Sequence, residues 1–299
     1  MIRPWLELAR ISNLPTVWTN VLAGWLLAGG TWDWPVLAWL LAGGSLLYTG
    51  GMILNDAADV RFDREARKER PIPSGRVTAA AAWSVGIGFL LTGFAMFVWG
   101  AEACIWLTGS LVVAIVAYDL YHKPWAGSVF IMGSCRTLLY LAAASAVTGT
   151  LSFAVNYEVI IKAIALGGYI VGLSLVARNE SAVGKPSEIW FGVGIFGLAL
   201  PIQAFGFCML VGPPRIFEPL WWMFLQLIIP ALLLSLELFA MHRMRTPPPS
   251  NIGRAVGLLL AGIVLVDALA ISAADPIAAL VFALSFPFLL MWQRKIAAT

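Results

Sequence analysis

An all-α, polytopic membrane protein is the fold class that three observations predict. First, 60% of the 299 residues are hydrophobic and only 12% are charged, with a mean hydropathy of +0.86. A soluble domain of this length needs far more polar surface. Second, apolar runs recur along the chain at about the 20-residue length that crosses a bilayer as a helix. Third, the basic residues gather in alternate connections, as they do when one side of a membrane retains Lys and Arg.

Ten candidate spans follow in order: 14–30, 36–54, 79–99, 102–118, 127–147, 158–177, 189–211, 219–241, 253–273 and 276–293. The first follows Arg3 and Arg10 and ends in "AGG". It is long for the apolar region of a signal peptide, and "AGG" is a poor cleavage site, so a retained helix is expected. The last is short and contains Pro287, so it can also be read as a partial span. Nine to ten transmembrane helices is therefore the expectation. Trp32, Trp34, Trp99, Trp125, Trp221, Trp222 and Trp292 fall near predicted ends, where indole rings anchor helices at the interface.

Orientation follows from charge. With the N-terminus cytoplasmic, all of the 19 Lys and Arg residues except Arg136, Lys162 and Arg215 fall in inner segments. Lys162 is placed near an outer helix end. The outer loops carry Asp33, Glu102, Glu158, Glu218 and Asp275. An odd number of spans would put Arg294 and Lys295 outside, so ten fits better than nine. The expected location is the inner (cytoplasmic) membrane, multi-pass, with the N-terminus and the polar motif loops cytoplasmic. No linker or low-complexity tract divides the chain, so residues 1–299 read as one transmembrane domain. Polar inner loops after spans two and six hint at a duplicated four-helix unit. Cys104, Cys135 and Cys208 lie in apolar runs without metal-ligand spacing and read as small buried hydrophobes. No basic tail or patch points to nucleic acid.

The most polar stretch is "LNDAADVRFDREARKERPIPSGRVT", after the second span. Continued as a helix, it places Asp56, Asp59 and Asp63 within about 60° of one another, since each residue turns about 100°. Asn55 lies at the edge of that face. Three like charges on one face do nothing for helix stability, and topology rules depend on Lys and Arg rather than on acids. A hard divalent cation does need such a row: Mg²⁺ takes oxygen ligands, commonly one or two carboxylates plus phosphate oxygens. Nearby arginines can take the remaining phosphate oxygens in bidentate fashion. Arg64, Glu65, Arg67, Lys68 and Glu69 read instead as a solvated, topology-setting loop.

These residues carry a resemblance. "NDAADVRFD" followed by "RPIPSGRVT" resembles the first signature of the UbiA superfamily of intramembrane prenyltransferases, N-D-x-x-D-x-x-x-D with a short Arg-Pro-x-x-x-Gly stretch after it. It falls here on Asn55, Asp56, Asp59 and Asp63, then Arg70, Pro71 and Gly75. The opening "ARISNLPTVWTN" is also similar to that of the family. The resemblance implies helices around a large central cavity, usually nine of them. It implies a prenyl diphosphate held through Mg²⁺ at a cytoplasmic cap, with the isoprenoid tail in an apolar tunnel. Asp56, Asp59 and Asp63 would hold the metal, and Asn55 and Arg70 would sit against the diphosphate.

"YDLYHK" resembles the family's Tyr-x-x-x-Lys element, with Tyr118 and Lys123 one residue further apart. Lys123 is a diphosphate ligand or a topology lysine, and Tyr118 and Asp119 line the site or lie at the interface. Arg136 is placed about 14 Å into the fifth span, at 1.5 Å per residue. A charge at that depth faces the interior or a partner, so it serves diphosphate or acceptor, or pairs with Asp267 or Glu237. Asn20 faces the cavity or bridges helices. His122 and His242 read as interfacial.

The chain departs from the family where a second aspartate motif is expected. That region reads "LVARNESAVGKPSE", with Arg178, Asn179 and Glu180 in place of the acids. Glu180 alone resembles a strong metal ligand, and Arg178 and Lys185 are available to neutralise phosphate in place of a second ion. The resemblance is thus to a divergent branch. It implies Mg²⁺-dependent prenyl transfer to an aromatic or other electron-rich acceptor. A catalytically silent prenyl-lipid-binding scaffold and a lipid or metabolite transporter are the competing readings.

Overall fold

The computed structural model describes residues 2–122, 125, 127–148, 157–178, 220–245 and 250–293. Among them the chain forms helices α1 (Arg3–Leu8), α2 (Leu14–Leu27), α3 (Trp34–Ala58), α4 (Val60–Ala66), α5 (Ala79–Ala95) and α6 (Ile105–Tyr121). Then follow α7 (Ser128–Ser145), α8 (Tyr157–Arg178), α9 (Leu220–Arg245), α10 (Ser250–Ile271) and α11 (Pro276–Gln293). No strand occurs among the described residues. The polytopic all-α class is therefore the observed one.

Nine of the ten expected spans coincide with helices, and the candidate at 189–211 lies outside the described residues. Seven of the described helices are long and apolar enough to cross a membrane. Two expected spans are shorter. Helix α2 has 14 residues and α6 has 17. Helix α2 stops early because Gly29 takes φ +91°, a left-handed conformation open to glycine, and Trp25 Nε1 ties the turn by donating to the Thr31 carbonyl at 2.7 Å. The helix starts are local. Proline stands in the first positions of α1, α2 and α3, where its missing N–H costs nothing. The Thr78 hydroxyl caps α5 by accepting from the Ala81 N–H at 3.2 Å.

Lipid offers no hydrophobic drive for helix association, so close backbone contact through small residues takes its place. Helices α3 and α5 show this. A Cβ on Gly93 would lie 2.8 Å from the Gly43 carbonyl oxygen, and one on Gly50 would lie 3.0 Å from that of Gly86. Helices α7 and α8 repeat the device, since a Cβ on Gly133 would lie 2.7 Å from the Gly167 carbonyl oxygen. Helix α2 packs on α3, α7 and α10, and α10 is enclosed by α2, α8, α9 and α11. The lipid-facing side carries exposed Leu91, Val113, Ile164, Leu227, Leu284 and Phe288.

Lys162 lies in the second turn of α8, near a helix end as expected. It is nevertheless only 2% exposed, with Nζ donating to the Ala270 carbonyl at 2.5 Å. Its long stem reaches from α8 to a free carbonyl in the last turn of α10, a partner that no sequence period announces.

The end of the bundle that carries Asp56 is closed by a small cap. Leu8 of α1, Ile53 and Ala57 of α3, Ile72, Val77 and Ala82 form a separate apolar cluster beneath it. Arg76 stitches its surface, donating to Glu7 Oε2 at 2.9 Å and to the Glu69 carbonyl at 2.7 Å. Arg10 leaves α1 with φ 42°, ψ 50°, a left-handed conformation that costs a non-glycine residue about 1–2 kcal/mol. That turn points its guanidinium at Asp56.

Candidate active site

Beneath the cap lies a cavity of about 660 Å³. Its deeper wall is apolar, with Leu47, Leu111, Ile115, Leu139, Ile170, Leu173, Leu260 and Ile263. Its rim is charged: Arg10, Arg67, Arg70 and Arg178 face Asp59, Asp63, Asp119 and His122, and Arg136 joins them from deeper in α7. Five arginines against three aspartates leave the lining net positive. The arrangement suits an amphiphile with an anionic head and an apolar tail.

The helix does continue past Leu54, as expected, with a slight break. Asp59 caps the end of α3 and the start of α4 with one helical backbone pair (φ −80°, ψ −3°). The Asp63 N–H still donates to the Asp59 carbonyl at 3.0 Å, so the row keeps its register. Asp56, Asp59 and Asp63 are all buried, at 6, 9 and 1% exposure. Arg70 Nη1 donates to Asp56 Oδ1 at 3.2 Å and to Asp63 Oδ2 at 2.9 Å. Arg10 reaches Asp56 Oδ1 at 3.4 Å, and His122 Nε2 lies 3.3 Å from Asp59 Oδ2. Asp56 is thereby covered and does not itself line the cavity, unlike Asp59 and Asp63.

Among the described residues no three His, Cys, Asp or Glu side chains converge as a ready metal cage. The acids are spread along the rim and bridged by cations. The donor chemistry nonetheless fits a hard divalent ion. All the donors are carboxylate oxygens, and Asp119 carries one to spare. It is 5% exposed, its Oδ1 accepts from Asn55 Nδ2 at 3.2 Å, and its buried Oδ2 has no hydrogen-bond partner. An unpaired buried carboxylate oxygen in an acidic rim is where a cation is worth most.

The other expected site residues separate into groups. Asn55 and Tyr118 line the cavity, with the Tyr118 ring stacked on His122 at 5.2 Å between centroids. Arg178 also lines it and donates to Ser128 Oγ at 3.0 Å and the Trp125 carbonyl at 3.2 Å. Arg136 faces the cavity from about eight residues into α7. It forms no ion pair with a described acid, so of the two readings the cavity-lining one holds and the alternative, direct pairing with Asp267 or Glu237, is not made. Instead Nη1 donates to Asn20 Oδ1 at 2.6 Å and Nη2 to Thr16 Oγ1 at 3.1 Å. Asn20 is fully buried and stands behind Arg136 rather than at the cavity surface. Lys123 and Glu180 lie outside the described residues. Arg10, Arg67 and His122 join the site without a sequence signal that marks them for it. The interfacial expectation for His122 is too weak, since it lines the cavity and its ring bridges Tyr118 and Asp59. Arg10 belongs to a part of the chain 46 residues from its partner Asp56, and only its left-handed turn brings the two together.

A family model, the UbiA prenyltransferase family, matches residues 16–256. The chain belongs to this family. Digeranylgeranylglyceryl phosphate synthase of Methanoculleus marisnigri is 30% identical to this UbiA-family chain over 143 residues, covering 44% of the chain and 51% of the relative. 4-Hydroxybenzoate octaprenyltransferase of Dechloromonas aromatica is 34% identical over 119 residues, covering 39% and 40%. The UbiA-family chain thus spans about half the length of the curated relatives it matches. The first is named as a synthase and the second as a prenyltransferase. Among solved structures, one concerned with digeranylgeranylglyceryl phosphate synthase in membranes superposes with a TM-score of 0.62 at 18% identity, covering 91% of this chain and 98% of the other. A UbiA homolog from Archaeoglobus fulgidus bound to GPP and Mg²⁺ superposes with a TM-score of 0.58 at 15% identity, covering 88% and 99%. At those identities the likeness establishes the UbiA fold.

Proposed function

We propose that the protein transfers a prenyl group from a prenyl diphosphate to an electron-rich acceptor in the membrane, with Mg²⁺, as one transmembrane unit. The observation that carries this reading is the buried acid row and its arginines set over an apolar hollow. The Mg²⁺ and GPP bound by the Archaeoglobus fulgidus homolog support it. Asp56, Asp59 and Asp63 would hold the ion, and Arg10, Arg70 and Arg178 would take phosphate oxygens. Lys123 adds a further cation in this reading, and Glu180 a further metal ligand. The ion, when bound, neutralises charge on the diphosphate.

The chemistry that remains belongs to the side chains. The allylic C–O bond breaks and its electron pair leaves with the diphosphate. The rim arginines stabilise the charge that develops on the leaving oxygens. The deep apolar wall keeps water from the allylic cation. A new bond forms from the acceptor to that carbon, and the acceptor then loses a proton. The degenerate stretch at Arg178, Asn179 and Glu180 supports a second reading, a scaffold that binds prenyl lipid without turnover.

Radiolabelled geranyl diphosphate and an aromatic acceptor, supplied to the protein in nanodiscs, separate the two. Product is expected with Mg²⁺, falls to background with EDTA and returns when Mg²⁺ is restored in excess. Mg²⁺-dependent binding without product supports the scaffold. We also propose that the N-terminus and the rim face the cytoplasm. A cysteine introduced at the exposed Glu65 is expected to react with an impermeant maleimide only from that side of inverted membrane vesicles, and labelling in right-side-out vesicles would refute it.

A further inference from the structure

Arg136 is held by a chain of polar groups that crosses three helices. Its Nη1 donates to Asn20 Oδ1 at 2.6 Å, and Asn20 Nδ2 donates to Asp267 Oδ2 at 2.6 Å. Asn20 and Asp267 are both fully buried. The link joins α7, α2 and α10. A guanidinium only donates and a carboxylate accepts, so Asn20 has one orientation that satisfies both neighbours, oxygen to Arg136 and NH₂ to Asp267. Asp267 therefore fixes the amide, and the amide fixes the arginine.

The remaining partners of Arg136 are neutral. Thr16 accepts through its hydroxyl at 3.1 Å and its carbonyl at 3.3 Å, and the Tyr48 ring lies 5.6 Å from the guanidinium carbon. These bonds use three of the five N–H groups of the guanidinium. The other two have no partner among the described residues, and the side chain lines the cavity.

The spacing has a physical consequence. A buried cation needs an opposite charge nearby, or the fold loses much of the stability it has. A carboxylate in direct contact would supply that charge but would also occupy the donors. A carboxylate one amide away balances the charge and leaves the donors available. We infer that Asp267 is a positioning residue. It acts through Asn20 to balance the charge of Arg136 and to keep its side chain fixed and open to an anionic group inside the cavity. The inference rests on the prenyl-transfer reading of that cavity. Tyr48 precedes Asp56 by eight residues on α3, about 12 Å along the helix. Arg136 therefore sits below the acid row, at a level where it meets an anionic group of the acceptor or the inner end of the diphosphate.

The test compares five proteins in nanodiscs: wild type, Arg136→Met, Asp267→Asn, the double variant Arg136→Met/Asp267→Asn and the exchange variant Asn20→Asp/Asp267→Asn. Calorimetry reads the binding of geranyl diphosphate with Mg²⁺ and, separately, of 4-hydroxybenzoate. Thermal melting is read without ligand. Arg136→Met is expected to weaken one of the two probes about tenfold or more, and the probe that weakens identifies the group Arg136 meets. The exchange variant carries the same buried charges, so it is expected to melt like the wild type. Its carboxylate now sits directly on Arg136, so it is expected to weaken the same probe to a similar degree. Asp267→Asn is expected to lower the melting temperature when residue 136 is Arg and to change it little when residue 136 is Met.

Wild-type binding of both probes by the exchange variant overturns the inference. So does normal binding of both probes by Arg136→Met, or an equal effect of Asp267→Asn on melting in both backgrounds. A wild type that binds neither probe rejects the prenyl-transfer reading instead, and the melting comparison still decides the link from Asp267 to Arg136.

Discussion

Asp63→Asn is expected to lower prenyl-transfer turnover by about 10²–10³-fold, the range seen when one preorganised electrostatic contact to a transition state is lost. Asp63 is the most buried of the three row acids and shares Arg70 with Asp56. The amide keeps one acceptor oxygen for Arg70 but removes the charge that a divalent ion needs. Arg70 also retains Asp56, so the cap is expected to stay folded. Circular dichroism and size-exclusion profiles like those of the wild type would check that point. A turnover loss below about tenfold would remove Asp63 from the set of groups that bind the leaving diphosphate.

Arg70→Met is expected to move two affinities in opposite directions. Arg70 occupies Asp56 Oδ1 and Asp63 Oδ2, the oxygens on which a divalent ion would compete with it. Without the guanidinium, the two carboxylates are left facing each other, and like charges at short range favour a bound cation. Mn²⁺ alone, read by electron paramagnetic resonance, should therefore bind more tightly. Geranyl diphosphate in the presence of Mg²⁺ should bind about 10–100-fold more weakly, because a charge-assisted hydrogen bond is worth about 1.5–3 kcal/mol. A parallel fall in both affinities would mean that Arg70 holds the cap together rather than exchanging between acid and phosphate.

Much of this architecture is readable from local signals. Span positions depend on runs of apolar residues, and the acid row depends on a helical period that α3 and α4 keep across Asp59. Both are properties of neighbours in the chain. What escapes are contacts set by tertiary approach. Arg10 looks like any basic residue before a first span, and it reaches the site because its backbone turns left-handed. His122 follows the apolar run of α6, and nothing in "YDLYHK" says that its ring will lie against Asp59. The pairing of Arg136 with Asp267 is half legible. A charge in the middle of a span demands a partner, and Asp267 is a candidate, but the insertion of Asn20 between them depends on α2 packing between α7 and α10. Lys162 escapes because a buried lysine bonded to a backbone carbonyl leaves no complementary residue to find.

The link from Arg136 through Asn20 to Asp267 also has a history in time. Asp267 is made 131 residues after Arg136. At about 5–20 residues per second, the ribosome needs roughly 7–26 seconds to supply it. Through that interval the newly inserted segments hold an arginine whose balancing acid has not yet been synthesised. A charge at that depth is costly in lipid, so the insertion machinery or lipid headgroups are expected to shelter it until α10 brings the acid.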